Sequence, residues 1–117
     1  MRLNHLNLTV TNVSETHQFL QKYFGMHDKG GNNNIAFLSD DNGLFLSLTS
    51  MKLDGEREVK YPVNFHVGFG QESEERVNEI SRRLKEDGFD VPQPSRQHGS
   101  WTFYFLAPGG FTIEVLS

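Results

Sequence analysis

Residues 104–115 read YFLAPGGFTIEV, two alternating segments that meet at a Pro-Gly-Gly turn. A strand has a period of two, so Glu114 shares a face with Thr112, and the three apolar residues of that segment share the other face. The preceding segment, Trp101–Leu106, alternates in the same way. The stretch therefore predicts a β-hairpin that carries a carboxylate on the face opposite its apolar side.

The same pattern occurs in the first half of the chain, which indicates an internal duplication. Three matches occur in the same order in the two halves: His5 with His66, Phe37-Leu38 with Phe105-Leu106, and residues 44–48 with residues 111–115. Glu114 is thereby aligned with Ser47. Each half is predicted to consist of a strand, a helix and further strands, and the opening strand of the second half is predicted at Val63–Gly70.

Helix signals follow the opening strand of each half. Asn12, three residues before Glu15, can cap a first helix, and Gly25 is suited to end it. Ser73 can cap a second helix that ends near Gly88. The charged residues 51–61 show little periodicity. We therefore expect module 1 at about residues 1–50, a linker at about 51–61 and module 2 at about 62–117.

Three residues that could bind a metal lie on the polar faces of the predicted strands: His5, His66 and Glu114. A polar face can be the solvent side of an antiparallel sheet. Two histidines and one carboxylate, however, can also bind a divalent metal and leave other positions open to water and substrate. The donors suit Mn, Fe, Ni, Co or Zn, and the absence of cysteine disfavours a closed structural zinc site.

Composition excludes several classes of protein. The chain has 117 residues, ten Phe, no Cys and a net charge of −4. The aromatic content disfavours disorder, and an acidic chain without a basic stripe disfavours nucleic acid as a partner. No apolar run is long enough to span a membrane, and no signal peptide is recognisable. We therefore expect a single domain over residues 1–117, located in the cytoplasm.

Three stretches resemble the signatures of the vicinal oxygen chelate superfamily: residues 3–10 leading to residues 23–26, residues 65–67, and residues 104–115. This superfamily includes glyoxalase I, extradiol dioxygenases, fosfomycin-resistance thiol transferases and bleomycin-binding proteins. The resemblance implies an α+β fold in which two βαβββ modules form a cupped, barrel-like mixed sheet. It covers essentially the whole chain.

The resemblance also implies the ligands of a metal site. Carried over by position, His5, His66 and Glu114 are the ligands. Glyoxalase I has a fourth ligand, a Glu, at the position of Ser47. A hydroxyl is a poor substitute for a carboxylate that also moves protons, so glyoxalase I activity itself is disfavoured. Ser47 is expected to face the metal cleft without being a strong ligand.

Further site residues follow from the same resemblance and from the predicted polar faces. We expect catalytic roles for Tyr104, His98 and Ser47. We expect substrate contacts from Asn7, Thr9, Phe45, Arg96 and Thr102. The loop at residues 92–99 has no lysine, which puts a fosfomycin-type phosphonate clamp in doubt, although Arg96 could bind an anion. Trp101 alternates out of phase with the site and is assigned to the core.

Two functional classes remain open from the sequence, besides a structural or regulatory role. The favoured one is a metal-dependent lyase, thiol transferase or dioxygenase whose small substrate chelates the ion through vicinal oxygens. The alternative is a metal-free protein of the bleomycin-resistance type that binds an antibiotic-like molecule. Retention of the ligand set favours the enzyme. A homodimer is expected, because family members commonly pair modules between chains and two-fold dimers are the commonest homo-oligomers.

Overall fold

The computed structural model describes all 117 residues, Met1–Ser117. The chain divides into two compact units. Unit 1 is Met1–Tyr61 with Pro108–Gly110, and unit 2 is Pro62–Ala107 with Phe111–Ser117. Each unit contains one α-helix and one four-stranded mixed sheet in the order βαβββ. The predicted α+β fold of two βαβββ modules is therefore confirmed.

Unit 1 contains a helix, four strands and a short 3-10 helix. In chain order they are β1 (His5–Val10), α1 (Val13–Phe24), β2 (His27–Gly31), β3 (Ile35–Ser39), β4 (Phe45–Ser50) and the 3-10 helix Met51–Asp54. The sheet order is β1-β4-β3-β2. The first and last strands of the unit, β1 and β4, pair in parallel, and the other pairs are antiparallel.

Unit 2 has the same arrangement. Its elements are β5 (His66–Gly70), α2 (Glu74–Glu86), β6 (Ser95–Gln97), β7 (Ser100–Leu106) and β8 (Thr112–Leu116). The sheet order is β5-β8-β7-β6, with β5 parallel to β8. The parallel pair places the opening strand of the unit, which carries His66, directly beside the strand that carries Glu114.

Both helices begin at the residues that the sequence predicts. The side chain of Asn12 accepts a hydrogen bond from the backbone N–H of Glu15, and Ser73 Oγ accepts one from Arg76 N–H. Each cap satisfies a donor that the first helical turn leaves free. α1 ends at Gly25, whose φ of 62° is the left-handed conformation typical of a helix C-terminus.

One face of each sheet is buried and the other is open. In unit 1, Leu46 and Leu48 of β4 are buried, while Ser47 between them faces the opposite side. α1 packs against β3 and β4, and α2 packs against β7 and β8. In unit 2, the buried apolar residues of the last two strands are Phe103, Phe105, Ile113 and Val115. Alternation along these strands therefore positions Ser47 and Glu114 on the faces turned away from the helices.

Two strands were not predicted from the sequence, and one was predicted too long. β2 has the sequence HDKGG, which lacks β-branched and aromatic residues, and β6 has only three residues. Both pair with a single neighbour at a sheet edge. The strand predicted from Val63 begins at His66, because a turn in which Phe65 N–H donates to Pro62 O precedes it.

The strand pairings correct one part of the internal alignment. Phe37 is paired with Ser47, and Tyr104 is paired with Glu114. Phe37 therefore corresponds to Tyr104 and not to Phe105, so that segment of the predicted alignment was wrong by one residue. A shift of one residue reverses the face, and Phe105 is indeed buried whereas Phe37 is 40% exposed. The alignment of Ser47 with Glu114 is confirmed.

Neither helix has the length and apolar character required to cross a membrane.

Candidate metal site

Glu114 is a buried carboxylate on the open face of the unit 2 sheet. Only 5% of the residue is exposed to solvent. Its neighbours across the sheet are Gly68 on β5 and Tyr104 on β7. His66 lies two residues before Gly68 on the same strand and therefore on the same face. Burying a carboxylate is costly unless it is hydrogen-bonded or paired with a cation.

The two carboxylate oxygens of Glu114 have different partners. Oε2 accepts a hydrogen bond from Thr102 Oγ1 at 2.7 Å, and His98 Nε2 lies 3.2 Å from the same oxygen. Oε1 lies 3.4 Å from Nε2 of His66. Oε2 thus has a hydrogen-bonded hydroxyl and a nearby imidazole, Oε1 has the ring nitrogen of His66 nearby, and Tyr104 also hydrogen-bonds to the carboxylate.

The tautomer of His66 follows from its second contact. Nδ1 of His66 lies 2.9 Å from the backbone oxygen of Asn64, which can only accept, so Nδ1 carries the proton. In the neutral imidazole, Nε2 then presents a lone pair to Oε1 of Glu114. Two acceptors at this distance repel each other, and either a proton on Nε2, which makes an ion pair, or a metal ion between the two atoms removes the repulsion. A ring N–H donated to a backbone carbonyl is also the usual arrangement of a metal-bound histidine.

The spacing of this pair suits two ligands of one ion. Ligand bonds of about 2.0–2.2 Å at roughly 90–110° separate two donor atoms by about 2.8–3.6 Å, and the distance between His66 Nε2 and Glu114 Oε1 is 3.4 Å. The residues of unit 2 therefore fit part of a divalent metal site. No group of three His, Cys, Asp or Glu side chains that could hold an ion is gathered in the structure.

His5, the third predicted ligand, lies on β1 in unit 1. Its Nδ1 is 3.0 Å from the side-chain oxygen Oδ1 of Asn4. That oxygen is an acceptor, so Nδ1 of His5 is assigned the proton and Nε2 is left free, as in His66. The same tautomer is thus assigned to both predicted histidine ligands, and it is the one that a metal bound at Nε2 requires.

The position in unit 1 that corresponds to Glu114 is occupied by Ser47. Its hydroxyl donates to Oδ1 of Asn7 at 2.7 Å, and the amide nitrogen of Asn7 donates to Thr49 Oγ1 at 3.2 Å. Asn7 is paired with Ser47 as Gly68 is paired with Glu114. The two modules therefore differ at this point: unit 1 has a neutral, internally bonded set, and unit 2 has a charged set.

His98 and Tyr104, the predicted catalytic residues, are brought to the carboxylate. His98 Nε2 lies 2.9 Å from the Tyr104 hydroxyl, and the ring of His66 meets that of Tyr104 edge-on at 5.3 Å. Burial raises the pKa of the Tyr104 hydroxyl above its usual value, and the hydrogen bond to Glu114 and its negative charge raise it further. Tyr104 is therefore a neutral hydrogen-bond donor at ordinary pH.

Three expectations are corrected by the geometry of β6 and β7. Thr102 is fully buried, with its hydroxyl on Glu114, and so has no surface to offer a substrate. Arg96 is not at the site, because its guanidinium pairs with Glu74 at 2.7 Å and lies over the Trp101 ring. Trp101 is half-buried rather than a core residue, and its Nε1 donates to Asn78.

The predicted substrate contacts of unit 1 lie along its open face. Phe45 is 41% exposed, and Asn7 is held by Ser47 and Thr49. Thr9 has both backbone groups bonded to the Tyr61 hydroxyl at 2.9 Å, which occupies the edge of β1. Nothing in the alternation of the chain indicates this role of Tyr61, or that of the Asn64 carbonyl beside His66.

Removal of the Glu114 charge should lower the pKa of Tyr104. In metal-free Glu114→Gln protein, we expect tyrosinate to form at lower pH than in the wild type. Burial should still hold the pKa of Tyr104 above that of a free tyrosine. An ultraviolet pH titration measures the change. The protein has three tyrosines, and the ionisation that disappears in Tyr104→Phe is the one that belongs to Tyr104. An unchanged titration in Glu114→Gln would show that the carboxylate does not act on this hydroxyl.

Comparison with known proteins agrees with this architecture. Residues 2–115 match the family model of the Glyoxalase/Bleomycin resistance protein/Dioxygenase superfamily. A structure described as a possible glyoxalase from Bacillus cereus is 50% identical, with a TM-score of 0.89 over 100% of this chain and 99% of the other. The lactoylglutathione lyase of Agrobacterium tumefaciens shares the fold, with a TM-score of 0.77, 18% identity and coverage of 98% and 92%. The chain belongs to the glyoxalase/bleomycin resistance protein/dioxygenase superfamily.

Proposed function

We propose that the protein is a divalent-metal-dependent enzyme whose small substrate chelates the ion through two neighbouring oxygens. The observation that carries the proposal is the 3.4 Å approach of His66 Nε2 to Oε1 of the buried Glu114, with Nδ1 of His66 turned to the Asn64 carbonyl. His5 completes the donor set by family resemblance, and its free Nε2 is consistent with that role. Mn, Fe, Ni, Co and Zn all suit two imidazoles and one carboxylate.

The chain's own groups suit proton handling beside an ion. When bound, a divalent ion would supply Lewis acidity that polarises substrate oxygens. Tyr104 keeps its proton at ordinary pH and can donate it to a substrate oxygen in place of Glu114. His98, bonded to Tyr104, can exchange a proton with it. These groups suit a lyase, a thiol transferase or a dioxygenase, between which the donor set does not choose.

Glyoxalase I activity proper is not proposed. The fourth ligand of glyoxalase I, a carboxylate, has no equivalent here. Ser47 stands at that position, and its hydroxyl donates to Asn7. At least two coordination positions would then remain for water and substrate. This arrangement favours a substrate that binds the ion directly through both of its oxygens.

A metal-free binding protein is the second candidate. Phe37 and Phe45 are each about two-fifths exposed on the open face of unit 1, where Phe37 is the cross-strand partner of Ser47 and Phe45 lies two residues before Ser47 on β4. Exposed aromatic rings of this kind could pack against a flat apolar ligand. The net charge of −4 would suit a cationic one. The buried carboxylate and its histidines favour the enzyme.

Loss of the carboxylate charge should weaken metal binding. We expect the wild type, prepared without a histidine tag, to bind at least one of the five ions, and Glu114→Gln to bind it more than about tenfold more weakly, because the only anionic ligand is lost. Titration calorimetry measures both affinities. The exposed Glu72→Gln is the matched control and should bind as the wild type does. A wild type with no affinity for any of the ions would favour the metal-free binding protein.

A carboxylate at position 47 should strengthen metal binding. Ser47 stands at the position equivalent to Glu114 in the duplicated sheet. Ser47→Glu would add a charged ligand there, so we expect tighter binding of Mn²⁺ or Ni²⁺ by calorimetry. Ser47→Gln controls for the larger side chain without its charge. Equal affinities of the Glu and Gln variants would contradict a place for Ser47 at the metal.

We also propose a homodimer. The sheets end in the edge strands β1 and β2 in unit 1 and β5 and β6 in unit 2, and such edges must be covered, blunted or paired. In a dimer, His5 could come from one chain and His66 with Glu114 from the other. Light scattering during size exclusion should give twice the chain mass of 13.4 kDa. A monomer that retains its metal would contradict a shared site.

A further inference from the structure

The two oxygens of Glu114 are not equivalent. Oε2 receives the Thr102 hydroxyl at 2.7 Å and has His98 Nε2 at 3.2 Å. Oε1 lies 3.4 Å from His66 Nε2, and Tyr104 also hydrogen-bonds to the carboxylate. The single proton of the Thr102 hydroxyl has one other acceptor within reach, the backbone oxygen of Val115 at 3.0 Å, and Oε2 is the nearer of the two. A carboxylate restrained in this way cannot rotate without losing a buried hydrogen bond.

The other module lacks both members of this pair. Ile35 is paired with Thr49 on β4, as Thr102 is paired with Leu116 on β8. Ile35 therefore stands where Thr102 stands in unit 2, and Ser47 stands where Glu114 stands. The hydroxyl is found in the module that has the carboxylate and not in the module that lacks it. Because the hydroxyl and the carboxylate occur together in one module and are both missing from the other, we relate Thr102 to Glu114 and not to the packing of the sheet.

His98 reaches Oε2 from an unusual backbone conformation. His98 and Gly99 form the two-residue turn between β6 and β7, and both have positive φ, 39° and 84°. A two-residue hairpin turn with positive φ at both positions favours Asn-Gly. Histidine at the first position is strained, and such strain is found where a side chain is needed for function.

We propose that Thr102 and His98 are positioning residues that hold Oε2, so that Glu114 offers Oε1 alone to the ion beside His66. The inference rests on the proposed metal-dependent function and adds how Glu114 would bind the ion, through one oxygen and not through both. A carboxylate that binds through one oxygen occupies one coordination position instead of two. The second position is thereby kept open for an oxygen of the substrate.

The test compares hydroxyl loss at two buried threonines. Thr102→Val keeps the shape of the side chain but removes the donor, and Thr102→Ser restores the donor. Thr16→Val is the matched control, because Thr16 is equally buried and donates to Asn12 O at 2.7 Å, away from the carboxylate. Affinity for Mn²⁺ is measured by calorimetry, and the visible spectrum of the Co²⁺-loaded protein reports coordination number.

We expect Thr102→Val to bind Mn²⁺ about 10–100-fold more weakly than the wild type, as is typical when a partner of a metal ligand is removed. Its Co²⁺ bands should weaken, because a carboxylate free to bind through both oxygens raises the coordination number. Thr102→Ser and Thr16→Val should retain the wild-type affinity and spectrum. A purely structural role for Thr102 would lower stability without changing the Co²⁺ spectrum.

His98→Asn provides an independent variant that is expected to fold. Asparagine suits the turn better, so we expect a higher Tm together with weaker Mn²⁺ binding, because the shorter side chain no longer reaches Oε2. If the wild type binds Mn²⁺ and both Thr102→Val and His98→Asn bind it equally well, the positioning role is wrong and the proposed metal function stands. If the wild type binds none of the ions, both proposals fail.

Discussion

The buried carboxylate of Glu114 is the constraint on which the rest of unit 2 depends. A carboxylate with 5% exposure cannot be left without partners. Thr102, His98 and His66 surround its two oxygens, and no buried side-chain polar atom in the protein lacks a hydrogen-bond partner. The residues that a catalytic role would require are thus the same residues that make burial of the charge tolerable.

Strand pairing brings these partners together. The parallel pairing of β5 with β8 places His66 near Glu114, and the antiparallel pairing of β7 with β8 places Tyr104 and Thr102 on the same face. Unit 1 repeats both pairings with different residues. There Ser47 and Asn7 bond to each other and no charge is buried. The duplicated architecture therefore contains one charged set and one neutral set built on the same register.

The positions of the site residues differ in how they could be predicted. The alternation around Glu114 and the repeated opening strands place His66 and Glu114 on polar faces from sequence alone. Tyr104 was placed on the correct face, although the alignment of its segment with Phe37 was wrong by one residue. Arg96 was expected at the site, but β6 was not recognised. The cross-strand partner of Arg96 is Trp101, so the Arg96 side chain lies beside Trp101 and Glu74.

The sequence by itself determined the periodicities and the helix caps, because these depend on residues close together in the chain, and it showed the duplication because the same patterns recur in the same order in both halves. Asn12 and Ser73 cap their helices through hydrogen bonds to residues three positions later. The tertiary structure alone decided which oxygen of Glu114 faces His66 and that Thr102 is a partner of the carboxylate. Those contacts join residues on different strands, and side-chain rotamers and tautomers, which no pattern of residues encodes, determine the direction of each hydrogen bond.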